Sequence, residues 1–452
     1  MTPKAQSLAV VVLAAGKGKR MKSNLAKVLH AVAGRSLLGW VLAAARALDP
    51  ARLVVVLGKE MDEVARAAQP ATIAIQDPPR GTGHAVMAAA GELKGFKGDV
   101  LVVFADTPML TADTLRAMVE ERRKRRAGVV CLGFRPQDPT LYGRLVTARD
   151  GSLLRIVEHK DAGAAERRIG LCNAGAMCLD GALLPKILAR LRDDNAQGEY
   201  YLTDAVGIAR KLGRSVGVVE ASENEVMGVD TRAKLAAAEA VAQGRLRAAA
   251  MEAGATLIGP ETVYLAHDTV LGRDVTVGPF AWFGPGVTVE DEVTIKAFCH
   301  LEGAQVARGA IVGPYARLRP GARIGRGVHI GNFVEVKAAT IEDGAKVNHL
   351  TYVGDARVGR RTNVGAGTIT CNYDGFAKHF TDIGADVFVG SNSALVAPVR
   401  IGDGAMIGAG SVVTRDVASD ALAVERSTQS ERPGWAAEFR ARRAAEKLSR
   451  KG

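Results

Sequence analysis

Aromatic side chains are scarce in this chain: Phe, Trp and Tyr together make up 5% of its 452 residues, against 48% hydrophobic residues in all. A core of large rings is excluded, and small aliphatic residues must fill the interior. Cysteine is scarce too. Cys131, Cys172, Cys178, Cys299 and Cys371 are odd in number and have no metal-ligand spacing, which argues against a disulfide framework and a zinc centre and for a reducing, cytoplasmic compartment. No run of 18 apolar residues occurs, so no membrane span is expected. Leu8 to Ala15, following Lys4, has the composition of a short signal-peptide core, but it runs straight into Gly16-Lys17-Gly18-Lys19-Arg20 and reads better as a strand entering a phosphate loop. The formal charge of +12 favours anionic partners. The basic residues are dispersed, without a stacking platform or recognition helix, so phosphorylated small molecules fit better than nucleic acid.

What the chain has in abundance is a period of six. Aliphatic steps run Leu271, Val277, Phe283, Val289, Ile295, Leu301, then Val306, Val312, Leu318, Ile324, Ile330, Val336, and again Ile383, Val389, Leu395, Ile401, Ile407. A helix would repeat at 3.6 and a flat strand at 2, so a sustained period of six implies short strands joined by tight turns and wound into a parallel β-helix. Ala281, Val287, Val293 and Cys299 should fill the rest of the interior. With three hexapeptides per coil, residues 265 to 413 should make roughly eight layers about 4.8 Å apart.

The first half differs. Short β-rich runs at Leu8 to Leu13, Leu53 to Leu57, Val100 to Phe104 and Val129 to Gly133 alternate with amphipathic stretches, the pattern of an α/β domain with a mostly parallel sheet. Length alone favours two domains. The expected division is 1–231, an alanine-rich connecting helix at 232–253, coils over 254–426 and a basic tail at 427–452 carrying Arg432, Arg440, Arg442, Arg443, Lys447, Arg450 and Lys451.

Chemistry in the first half starts at Leu13-Ala14-Ala15-Gly16-Lys17-Gly18-Lys19-Arg20, with Lys27 just beyond. Glycines let backbone N–H groups approach a triphosphate, and Arg20 and Lys27 add charge where pyrophosphate would leave. The spacing matches neither a Walker loop nor the dinucleotide fingerprint, which points away from kinases and dehydrogenases. Asp106 follows the run ending at Phe104, at the C-terminal end of a strand, where open α/β sheets place ligands; one carboxylate there suits Mg²⁺. In the second half, Val347 and Thr351 should point inward, turning Asn348, His349 and Tyr352 outward. The stretch from Gly365 to Asp382 breaks the rhythm and should loop out.

The glycine loop, Gln76 to Gly83, Tyr142-Gly143-Arg144, Ile156 to Lys160 and Asn195 to Asp204 resemble the sugar-1-phosphate nucleotidyltransferases. Together with Gly331 to Glu335, His349 and Asn372-Tyr373, they resemble the bacterial family that joins an N-acetylglucosamine-1-phosphate uridylyltransferase to a glucosamine-1-phosphate N-acetyltransferase. The resemblance covers nearly the whole chain. It implies a Rossmann-like α/β nucleotidyltransferase domain followed by a left-handed parallel β-helix of hexapeptide repeats. It also implies a cytoplasmic homotrimer that acetylates glucosamine-1-phosphate with acetyl-CoA, then makes UDP-N-acetylglucosamine from UTP for cell-envelope glycans.

By the same resemblance, Leu13, Ala14, Ala15, Gly16, Arg20 and Lys27 would line the UTP site, Gln76, Gly81 and Thr82 would read uracil, and Gly143, Glu158 and Asn173 would hold the sugar. Asp106 and Asp230 would bind Mg²⁺. His349 would be the general base, a role worth about 10²- to 10⁴-fold. Arg319, Lys337, Tyr352, Asn363 and Lys378 would hold glucosamine-1-phosphate; Ala366, Asn372, Tyr373, Ser391, Ala409 and Arg426 would contact acetyl-CoA, with the Ala366 N–H facing the oxyanion. Three positions depart from the family: Ala105 replaces Gly and adds a methyl beside the nucleotide's approach, Ala26 replaces Pro, and Asp230 replaces Asn at the second metal position. Two other readings compete, a single-function nucleotidyltransferase trimerised by its coils and a non-enzymatic scaffold that docks through the tail. The set around His349 and Asn372 argues against both.

Overall fold

A computed structural model describes residues 7–149, 152–195 and 197–450 of the chain. Lys4, Ala196 of the Asn195–Asp204 motif and Lys451 of the tail lie outside the described residues. Two compact units emerge: one runs to Ala249 and includes Tyr264–His267, and the other comprises Ala250–Val263 and the chain from Asp268 onward.

The first unit is built on a twisted sheet whose central strands run Val216–Ala221, Val129–Phe134, Cys172–Asp180, Asp99–Phe104, Leu8–Leu13, Arg52–Gly58 and Thr72–Gln76. Leu8–Leu13 pairs in parallel with both neighbours, Val11 opposite Val54 on one side and Val102 on the other. Cys172–Asp180 runs antiparallel to its neighbours, with an irregularity between Asn173 and Met177. Residues of the first strand alternate between two buried layers. Val10 and Val12 pack with Leu38, Val41 and Leu42 on one face, while Ala9 and Val11 pack with Val86 and Ala89 on the other. Burial on both faces is what a near-continuous Val/Leu run requires. An antiparallel hairpin, Arg144–Thr147 with Leu153–Val157, extends from the Cys172 end of the sheet. Helix Arg232–Glu252 has no β-branched run beyond Val241 to oppose it.

The second unit is a three-sided prism of parallel strands, mostly two or three residues long, in sheets of ten, eight and eight. Every aliphatic step named above is buried except Leu271, which is half-buried near the start of the coils. Equivalent residues stack in register: Val277 on Ile295, Ile295 on Val312, Val312 on Ile330, Ile330 on Val347 and Val347 on Val364. Each such side chain stabilises the stack by roughly 1.5–3 kcal/mol. One corner needs a left-handed residue on every coil, and Phe280, Phe298, Tyr315, Phe333 and Leu350 all adopt positive φ there. The strain is offset by stacking of the rings, 5.1, 4.9 and 5.1 Å apart from Phe280 to Phe333.

The break at Gly365 to Asp382 is narrower than its sequence suggests. Ile369–Cys371 stays in the ladder, with Ile369 opposite Tyr352 and Ala394, and Thr381–Ile383 rejoins it opposite Ala356–Val358. The part that loops out is 372–380. Beyond the coils, the tail forms a helix from Trp435 to Ser449.

Asp99 opens the strand Asp99–Phe104 fully buried, with one oxygen on Arg122 Nε and the other 2.6 Å from Arg123 Nε. Asp99→Asn should cost about 3–5 kcal/mol, because it removes the buried charge that faces Arg122 and Arg123. Urea denaturation followed by far-UV circular dichroism checks this; a loss below about 1 kcal/mol would show the pair to be dispensable.

Candidate functional site

The parallel strands of the first unit end around a cleft of about 230 Å³, lined by Leu13, Ala14, Ala15, Gly16, Lys27, Gln76, Gly81, Thr82 and Asp106. This is the edge where open α/β sheets expose backbone groups to ligands. Gly18 has φ 62°, and a Cβ there would lie 2.4 Å from Lys27 Cβ, so glycine lets the loop fold against the lysine. Gln76 Nε2 donates to the Gly81 carbonyl at 3.0 Å. Gly81 has φ 98°, and a Cβ would come within 2.7 Å of the Tyr200 carbonyl. Thr82 Oγ1 accepts from Leu202 N–H at 3.1 Å, which ties the Asn195–Asp204 motif to the cleft wall.

Gly143, Glu158 and Asn173 come together beside that motif. Asn173 N–H donates to the Gly143 carbonyl at 2.8 Å, and a Cβ on Gly143 would lie 3.2 Å from a Glu158 carboxylate oxygen. Burial holds the Glu158 carboxyl above its usual range, against a hydrogen bond from Thr203. Burial raises Asp204 as well.

Asp106 and Asp230 are brought together by the backbone, Val229 N–H donating to the Asp106 carbonyl at 2.8 Å. Lys27 Nζ sits 2.5 Å from Asp106 Oδ2, and Arg20, outside the cleft lining and largely exposed, reaches Asp230 at 3.0 Å. Asp230 Oδ1 is buried and accepts no hydrogen bond. A pair of carboxylates with an unused oxygen fits a hard divalent cation that keeps water and phosphate oxygens in its remaining positions. It does not fit a closed protein cage, and no cluster of three or more His, Cys, Asp or Glu occurs among the described residues. Ala105 is fully buried with its methyl in the core beside Val103 and Leu110, so it does not narrow the cleft. Ala26 keeps φ −56°, the value proline would impose.

In the prism, coil register builds a second constellation at one corner. Asn332 stacks on His349, and Asn332 Oδ1 lies 2.8 Å from His349 Nδ1. Ala366 follows on the next coil, where Gly367 N–H donates to the His349 carbonyl at 3.1 Å. Asn392 N–H donates to the Ala366 carbonyl at 2.7 Å and Gly410 N–H to the Ser391 carbonyl at 2.8 Å. Arg426 Nη1 reaches the Ala409 carbonyl at 2.6 Å. His349, Ala366, Ser391, Ala409 and Arg426 therefore form one column.

Around the corner lies a polar group. Arg319 Nη1 donates to Glu335 at 2.8 Å, Lys337 Nζ stands 3.7 Å from Asp355, and Asn372 Nδ2 donates to Asp355 and, at 3.5 Å, to Tyr352 Oη. The closeness of Lys337 and its like charge hold the Lys378 ammonium below its usual range. Tyr373 is exposed on the loop, its hydroxyl donating to the Gly375 carbonyl at 2.6 Å. Asn363 faces outward between Lys346 and Phe388 on the sheet that carries His349, whereas Lys337 and Tyr352 lie on another sheet.

Comparison with known proteins decides the family. The MobA-like NTP transferase domain matches residues 10–170, and the bacterial transferase hexapeptide matches residues 303–338 and 380–415. The "Bifunctional protein GlmU" of Paramagnetospirillum magneticum is 56% identical over 98% of this chain and 99% of its own. Those of Rhodospirillum rubrum and Xanthobacter autotrophicus are 58% and 56% identical, over 96% and 98% of this chain and 97% and 99% of theirs. This chain belongs to the GlmU family. As a family member it is a bifunctional transferase of UDP-N-acetylglucosamine synthesis, a nucleotidyltransferase in its first unit and a hexapeptide acyltransferase in its second.

Two residues of the constellation carry no signal of their own in the sequence. Asn332 was visible within Gly331–Glu335, but its pairing with His349 needs the 17-residue coil step to be known. Asp355, which receives both Asn372 and Lys337, carries no local motif. Burial pushes the Cys131 thiol up to about 12 and the Cys299 thiol up to about 11, so neither is a thiolate at neutral pH.

Glu158 gives a pH test. Its folded value is raised, so its contribution to stability is intact below the unfolded carboxylate range and is lost as pH rises through the folded value. Glu158→Gln should therefore raise the melting temperature at neutral pH and leave it unchanged near pH 4, the unfolded value. Equal shifts at both pH values in scanning calorimetry would remove burial as the cause.

Proposed function

We propose that the two constellations are the two active sites, and that they act in sequence: acetylation of glucosamine-1-phosphate in the prism, then uridylyl transfer to N-acetylglucosamine-1-phosphate in the first unit. The observation that carries the reading is the pairing of Asn332 with His349. An amide oxygen can only accept, so Nδ1 bears a hydrogen, and in the neutral ring Nε2 then keeps the lone pair. A neutral imidazole so oriented can take a proton from the aminosugar nitrogen as that nitrogen attacks the thioester carbonyl of acetyl-CoA. The C–N bond forms, the C–S bond breaks, and coenzyme A leaves as the thiol. The Ala366 N–H faces the developing oxyanion, while Ser391, Ala409 and Arg426 continue along the column as the coenzyme A path. Arg319, Lys337, Tyr352, Asn363 and Lys378 hold the phosphosugar, and Asn372 and Tyr373 lie between the substrates. Asn363, on a different sheet of the prism from Lys337 and Tyr352, supports an assembly in which subunits share the site; a homotrimer is the form proposed.

In the first unit, the phosphate of N-acetylglucosamine-1-phosphate attacks the α-phosphorus of UTP and pyrophosphate leaves, a displacement that needs alignment and charge neutralisation but no protein nucleophile. Leu13, Ala14, Ala15 and Gly16 present backbone to the phosphates, Arg20 and Lys27 take up their charge, Gln76, Gly81 and Thr82 face uracil, and Gly143, Glu158 and Asn173 face the sugar. Asp106 and Asp230 would hold Mg²⁺, which when bound neutralises phosphate charge in the transition state. Unpaired thiols agree with a cytoplasmic setting. No helix among the described residues is long and apolar enough to cross a membrane.

The two activities should separate. His349→Ala is expected to lower acetyl transfer by about 10²- to 10⁴-fold and spare uridylyl transfer, and Asp106→Asn to do the reverse. Thiol release from acetyl-CoA and pyrophosphate release from UTP read the two halves. Loss of both activities in either folded variant would refute independent sites.

A further inference from the structure

Two carboxylates in the nucleotide site face three cations. Lys27 Nζ lies 2.5 Å from Asp106, Arg20 lies 3.0 Å from Asp230, and Lys234 Nζ lies 3.3 Å from Asp230. The cluster carries one positive charge in excess, and Lys17, Lys19 and Lys22 on the same loop deepen that excess. Lys234 is placed by the fold rather than by chance contact. Thr231 Oγ1 accepts its backbone N–H at 3.2 Å, so helix Arg232–Glu252 begins with the lysine one turn beyond Asp230. Its ammonium donates to Asp230 Oδ2 at 3.3 Å and stands as close to Oδ1, the oxygen that accepts no hydrogen bond.

A bare divalent cation entering here meets like charge on three sides and must also break two short ion pairs. A triphosphate carrying that cation is net negative. It offers Arg20 and Lys27 new oxygens in exchange for the carboxylates they release. Lys234, fixed one helical turn beyond Asp230 and 3.3 Å from its carboxylate, stays on that residue.

We propose that Lys27, Arg20 and Lys234 guard Asp106 and Asp230, so that the divalent ion is taken up together with the nucleotide triphosphate and not before it, with Lys234 as the positioning residue that offsets the charge of Asp230. This rests on the uridylyl-transfer reading of the site.

The test uses Mn²⁺ with the full-length, nucleotide-free protein, free Mn²⁺ being followed by electron paramagnetic resonance. Wild type should leave Mn²⁺ largely free, whereas Lys234→Met should bind it about tenfold or more tightly, the effect of removing a like charge at close range. The gain should vanish in Lys234→Met combined with Asp230→Asn, which assigns it to this carboxylate. With UTP present, water-proton relaxation should report a ternary complex in wild type. Nucleotide-independent binding that is equal in wild type and Lys234→Met would overturn the guard while leaving the uridylyl-transfer reading intact. Absence of a ternary complex with UTP would overturn that reading itself. Lys234 is 44% exposed, and matching circular dichroism melts would confirm that its variant is folded.

Discussion

Register between successive coils is the constraint on which the acyltransferase half depends. Parallel strands of two or three residues have too few hydrogen bonds to hold a position alone, but each is locked above and below, and an aliphatic side chain from every coil fills the same axial column. A residue's height along the prism is then set by its coil, and its direction by its place in the hexapeptide. Asn332, His349, Ala366, Ser391 and Ala409 share one corner for that reason. A shift of one residue in any of these coils would exchange inward and outward faces and leave the imidazole without its amide partner. Chemistry on the surface is therefore specified by packing in the interior.

The nucleotidyltransferase half solves its positioning problem differently. Its cleft residues come from strand ends and loops far apart in sequence, brought together because parallel strands release their chains at one edge. Cross-ties then fix the loops: Gln76 to Gly81, Leu202 to Thr82, Val229 to Asp106. Charge completes the arrangement. Asp106 and Asp230 are kept close by backbone hydrogen bonding, and the cations on them relieve the repulsion that proximity creates.

Features with a fixed period or a contiguous motif were legible in the sequence. The six-residue rhythm located the buried column, and the glycine loop and Asp106 marked the cleft edge, because strand, turn and strand end are local events. Pairings across elements were not legible. Nothing near Lys27 indicates that its ammonium lies on Asp106, 79 residues away, and nothing near Asp355 marks it as the acceptor for Asn372 and Lys337. Ala105 shows the reverse: in sequence it adjoins Asp106 at the cleft edge, but its methyl is buried in the core. The loop bounds were misjudged because a broken rhythm does not reveal which residues still pair. Ile369–Cys371 keeps its ladder hydrogen bonds while the side-chain pattern around it changes.

That loop is the one part of the acyltransferase constellation whose geometry the coils do not dictate. Residues 372–380 leave the prism, and Phe376 at the tip is 98% exposed. Order must come from within. Asp374 accepts from the N–H groups of Phe376 and Ala377 at 2.8 and 2.7 Å and meets His379 Nε2 at 2.7 Å, and these bonds hold its carboxyl far below the usual range. His379 N–H in turn closes on the Asn372 carbonyl at 2.9 Å. Asn372 and Lys378 thus belong to a self-braced loop, and Asn372 returns to the prism through Asp355. Because the bracing is local and polar while the anchor belongs to the prism, the loop can differ in sequence at Phe376 without moving Asn372.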